Sequence, residues 1–96
     1  MKHISVVTFS VPDYSDVARR HLMDVVVLLT AKNTTVTLLP ALNDQRKPGL
    51  IVMTTCATMP RIELVASIHE CMRLCGTGIQ YAILDDDGDS LGLLDM

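Results

Sequence analysis

The chain has no tryptophan, one phenylalanine and two tyrosines, and its bases never stand in a run longer than a pair, as at Arg19-Arg20 and Arg46-Lys47. Nucleic-acid recognition needs the opposite, a basic face for phosphates and aromatic side chains for stacking. Eleven acids against eight bases, a net charge of −3, argue the same way. No nucleic-acid partner is expected. Long apolar runs are also missing. The longest, Val25 to Leu29, is far short of the ~20 residues that cross a bilayer, so no membrane partner is expected. The apolar start is short and is soon interrupted by Asp13 and Asp16, which is not the pattern of a secretory leader. Three cysteines make an odd number, so reduced thiols and a cytoplasmic location are the expectation.

The familiar cofactor motifs are missing too. There is no G-x-x-x-x-G-K-[ST] and no G-x-G-x-x-G, and Gly76-Thr77-Gly78 falls between a helix and a strand rather than before a helix. No cofactor is implied. What the chain has in quantity is aliphatic side chain: 49% of its 96 residues are hydrophobic and only 20% are charged. Residues 1–96 are therefore expected to form one small domain around one core.

The elements are legible in order. The β-branched run His3 to Phe9 reads as a strand. Ser10, Pro12 and Asp13 look like a helix start, with Ser10 as N-cap and Asp13 at the capping-box distance. Tyr14, Ala18, Leu22, Val25 and Leu29 come next at helical spacing. The segment from Val25 to Thr30 is also strand-like. Helix is favoured, because a helix ending at Asp24 would meet its strand without a loop. Val27 then points away from the sheet, and Asn33 is a left-handed cap.

Thr34 to Leu39 reads as a second strand closed by Pro40, and residues 43–49 as a polar turn. Leu50 to Thr55 reads as a third strand. Thr58 is a candidate N-cap for a second helix with Pro60 just inside. Leu64, Val65, Ile68, Cys71, Met72 and Cys75 make its apolar face, and Gly76 ends it as a C′ glycine. Gly78 to Asp85 is a fourth strand, and Ser90 to Leu94 would be a short C-terminal hairpin strand.

This order is β-α-β-β-α-β. The short second-to-third connection makes those strands antiparallel neighbours, and crossovers are right-handed. The expected fold class is α+β: a ferredoxin-like sandwich, one four-stranded antiparallel sheet with two helices on one face. A small parallel α/β sheet is the alternative. The sandwich leaves one sheet face without helices. Neither face of the central strands is polar enough to be left in water, since Val36, Leu38, Leu50 and Val52 alternate with Leu39, Ile51 and Met53. That face is expected to be covered by a protein partner or by a second copy in a homodimer.

Candidate chemistry is sparse. Cys71 and Cys75, four apart with His69 nearby, lie in the apolar stripe and read as core rather than metal ligands, so no metal is expected. Asp85-Asp86-Asp87-Gly88-Asp89 is not an EF-hand loop. With Gly88 sixth, the first and twelfth positions are Ile83 and Leu94. Cys56, where a strand hands over to a helix, is the one candidate nucleophile. No histidine stands near it in sequence, and an end shared with Asp85 to Asp89 should raise its thiol. Ser10, Tyr14, Arg46 and Lys47 form the candidate ligand site, a helix start beside two bases suited to a small anion.

Three functions are compatible with these features. The first is a non-enzymatic interaction module, regulatory, inhibitory or adaptor in kind, acting through the apolar sheet face or a strand edge. The alternatives are an anion-binding sensor using Ser10, Tyr14, Arg46 and Lys47, and a cysteine-dependent enzyme using Cys56.

Overall fold

A computed structural model of the chain describes residues 4–84. Six elements run in order: β1 (Ser5–Val11), α1 (Asp16–Ala31), β2 (Thr34–Leu42), β3 (Pro48–Cys56), α2 (Arg61–Cys75) and β4 (Ala82–Leu84). The sheet order is β2-β3-β1-β4 and every neighbouring pair is antiparallel. This is an α+β architecture whose strand order and two helices fit the ferredoxin-like arrangement. The parallel alternative is excluded, because β2 and β3 form a hairpin.

Both helices pack on one sheet face. Leu22, Val25 and Leu29 of α1 and Leu64, Ile68, Cys71 and Met72 of α2 share a core with Val7, Phe9 and Val11 of β1 and Leu50 and Val52 of β3. The predicted stripes hold, and Val25 to Thr30 is helix. Val27, on the far side of α1, is exposed.

The element ends differ from the sequence expectation for local reasons. Ser10 does not cap α1. It lies in β1 opposite Ile51, because pairing with β3 carries the strand on to Val11. The N-cap is Ser15, whose hydroxyl accepts from the Ala18 N–H at 3.2 Å. Asp16 in the first turn complements the helix dipole. Asn33 takes the left-handed conformation, with φ 62°.

Strand β2 continues through Pro40 to Leu42. A proline is tolerated there because β2 is an edge strand, so its missing N–H faces away from the sheet. Asn43 organises the β2–β3 turn. Its side-chain oxygen accepts from the N–H groups of Gln45 and Lys47, and its amide donates to the Pro12 carbonyl.

Thr58 does not cap α2. Pro60 is the N-cap, with no side-chain hydrogen bond. Gly76 ends α2 at φ −100°, not in the left-handed region. Its need for glycine is steric, since a Cβ there would lie 3.0 Å from the Met72 carbonyl oxygen and sulfur. Strand β4 is shorter than expected, because residues 79–81 come before the pairing starts. The Asp85 to Asp89 turn, the Ser90 to Leu94 strand and His3 lie outside the described residues.

Candidate functional site

The pleat sends alternate side chains of each strand to opposite faces. On the face away from the helices, the register builds three rows. Thr35, Thr55 and Val6 form the first. Thr37, Met53, Thr8 and Leu84 form the second, and Leu39, Ile51, Ser10 and Ala82 the third. None of these side chains carries a charge.

Val6, Leu39 and Met53 are 36%, 43% and 38% exposed, and Thr8, Ile51 and Thr55 are half-buried. The face is thus a grid of β-branched and aliphatic side chains, with hydroxyls as its only polar groups. Threonine suits such a surface. It favours strand and tolerates water, while its single hydroxyl can be buried if it finds an acceptor.

The four candidate ligand residues are spread over the opposite end from Cys56. Ser10 faces the open side of the sheet and lines a hollow with Pro12, Leu42 and Ile51. Tyr14 packs on the helix side, in an apolar hollow of Pro40, Leu42, Pro48 and Leu50. Lys47 lines a third hollow, beside Asp13 and Asp44. Arg46 sits in the turn at φ 60°. At the helix N-terminus the Ser15 hydroxyl already accepts from the Ala18 N–H, and Asp16 stands in the first turn. The fold therefore brings acids as well as bases to this end, and places Ser10 and Tyr14 on different faces.

Cys56 closes β3 and is buried, 2% exposed. Its sulfur lies 3.2 Å from the Thr58 hydroxyl and 4.0 Å from the Lys32 carbonyl. Burial by itself would raise this thiol. Interactions that favour an anionic sulfur, first with Thr58 and then with the nearby Thr34 hydroxyl and Met59 N–H, outweigh it, and the thiol is held below its ordinary 9.0. The expected rise is therefore reversed by the immediate neighbours. No base joins it among the described residues: the rings of His21 and His69 contact Thr77 and Tyr81 instead. Burial pushes the Cys71 thiol up, in keeping with a core role. Among the described residues no cluster of three or more metal-ligating side chains occurs, and no helix is long and apolar enough to cross a membrane.

Sequence reasoning missed Thr34, Thr58 and Asn43 in these roles. The two-residue spacing from Cys56 to Thr58 is a local signal, but a threonine just ahead of a helix has the same appearance as a cap. Thr34 reaches Cys56 only through strand pairing. Compared with models of protein families and with curated proteins, the chain matches none.

Proposed function

We propose that the protein is a small non-enzymatic interaction module whose open sheet face is covered by a second copy of the chain. The observation that carries this reading is the uncharged grid of Val6, Leu39, Ile51, Met53 and their threonine neighbours. A solvated sheet face ordinarily alternates to charged and polar residues, and this one has no charge.

A second copy fits for an electrostatic reason. Each chain carries net −3, yet a face-to-face approach through the grid brings no like charges together and buries no ion. Under twofold symmetry the same patch meets itself, so aliphatic rows can pack while threonine hydroxyls pair across the interface. Four strands at ~4.8 Å spacing and seven residues at ~3.3 Å rise give a face of roughly 400–450 Å². Two such faces bury about 900 Å², near the low end for a specific interface. A reversible dimer is the expected product, not an obligate one.

Sedimentation equilibrium over a dilution series tests this. The wild type should move from dimer to monomer as it is diluted. Met53→Lys should weaken the dimer by about a hundredfold or more, since an unpaired charge would be buried, while the circular dichroism spectrum stays unchanged. A wild type that is monomeric at every concentration would overturn the reading, as would a dimer indifferent to Met53→Lys.

A further inference from the structure

Strand β2 is an edge of the sheet, with β3 on one side only. The Asn43 N–H donates to the Lys47 carbonyl at 3.0 Å, and this sets the phase of the β2–β3 hairpin. In that antiparallel register the backbone groups of Thr35, Thr37, Leu39 and Ala41 bond to β3, and those of Val36 and Leu38 point outward. Among the described residues no hydrogen bond reaches these outward groups. Natural sheets blunt such an edge with charge, a bulge, a short strand or proline. Strand β2 is nine residues long, has no charged side chain and pairs with β3 without a bulge. Pro40 is its single guard.

That guard covers one end. The proline ring stands where an N–H would point outward, and it holds off an incoming strand there. At the other end Thr34 is 3% exposed and leaves no room for one. The window between them is residues 35–39, centred on Thr37. We infer that this window pairs antiparallel with the same window of a second copy, about a twofold axis at Thr37. Val36 then lies opposite Leu38 of the second copy, Leu38 lies opposite its Val36, and the two pairs exchange about four backbone hydrogen bonds. The product is one continuous sheet across both copies.

A second copy fits on two counts. The window is self-complementary, since a twofold axis at Thr37 sets each outward donor against an acceptor. It also brings no charged side chains together, although each chain carries net −3. The other count is area, and here the pairing rests on the face-to-face contact proposed above. A single open face is small for that contact. Edge pairing lays two of them side by side, roughly 800–900 Å² together. Two such sheets stacked face to face bury about 1,700 Å², a standard size for a stable interface. The assembly is a tetramer with two kinds of twofold contact. The edge contact, with so few backbone bonds, is the weaker of the two.

Disulfide trapping tests this in a Cys75→Ser chain, which lacks the half-buried native thiol. At the axis the two copies of position 37 form a non-hydrogen-bonded pair with Cα atoms about 4.5 Å apart, within disulfide reach. The two copies of position 35, which is also exposed, stand about 13 Å apart, out of reach. Under air, Thr37→Cys should cross-link through position 37 at least ~tenfold faster than Thr35→Cys. Adding Leu38→Pro removes an outward N–H and no bond to β3, so it should slow the link to the Thr35→Cys rate, with circular dichroism checking the fold. Adding Met53→Lys, which breaks the face contact, should leave the link in place. In concentrated solution the linked chain should sediment as a tetramer, and with Met53→Lys as the covalent dimer. A Thr37→Cys link no faster than that of Thr35→Cys overturns the edge pairing. So does a link that Leu38→Pro leaves unchanged, or one that Met53→Lys abolishes. A position-37 link in a chain that never passes a dimer upholds the edge and overturns the face contact instead.

Discussion

The two faces of this sheet are built from the same strands, one residue out of step, and they differ in kind. On the covered face, Val7, Phe9, Val11, Leu50 and Val52 are at most 4% exposed. On the open face the neighbours Val6, Thr8, Ile51 and Met53 are only partly covered. Composition alone does not separate them, since both are rich in β-branched and aliphatic residues. What separates them is threonine and the helices. Hydroxyls recur in every row of the open face, whereas the covered face keeps its buried ones at Thr34 and Thr54, near one end. The buried core therefore lies on one face, and the face proposed to associate is the uncharged, partly exposed one.

Truncating one residue on each face should give very unequal losses of stability. Phe9 is fully buried and stands edge-on to Tyr81 at 6.0 Å. Phe9→Ala should cost about 3–5 kcal/mol in denaturant unfolding, by lost transfer energy and an unfilled cavity. Met53→Ala, measured in dilute monomer, should cost about 1 kcal/mol or less, because the side chain is already partly in water at 38% exposure. Equal costs would mean the open face is part of the folding core.

A finer contrast lies within the covered face. The Thr54 hydroxyl donates to the Val7 carbonyl at 2.7 Å, while Thr34 has no partner. Thr54→Val should destabilise by about 1 kcal/mol, since it leaves that carbonyl short of a donor. Thr34→Val should be neutral or stabilising by up to ~1 kcal/mol, because it removes an unsatisfied buried group. Thermal melts of the two variants should shift in opposite directions. A loss for both would mean the Thr34 hydroxyl is satisfied in solution.

The smallest effect expected is in alkali. Burial holds the Tyr81 phenol above its ordinary 10.0. Above that pH the folded chain keeps a proton that the unfolded chain releases, so stability falls as pH rises through 10.0 and beyond. Tyr81→Phe removes this contribution. Its melting temperature should decline less steeply than the wild type's between about pH 9.5 and 11, and parallel slopes would place the phenol in water.

Much of the fold was legible in the chain. Leu22, Val25 and Leu29, like Leu64, Ile68 and Cys71, recur at intervals that only a helix can bring to one face, and such periodicity is a local property. Helix starts were less legible. Ser10 and Thr58 have the chemistry of caps, but Ser10 is drawn into pairing with Ile51 and Thr58 turns toward Cys56. A residue with one hydroxyl takes the partner that the tertiary structure offers. The candidate ligand group failed to gather for a related reason. Ser10 and Tyr14 are close in sequence, yet the pleat and the turn at Pro12 send them to opposite sides of the sheet.

The order of elements, the helix stripes, the antiparallel hairpin and the scarcity of charge in the strands all follow from spacing along the chain. Which alternate residues of each strand meet the helices emerges only when the strands pair and the helices pack. The same packing ties the Asn43 turn to Pro12 and sets Thr34 opposite Cys56. Those outcomes depend on register, and register is set by how strands distant in sequence find each other.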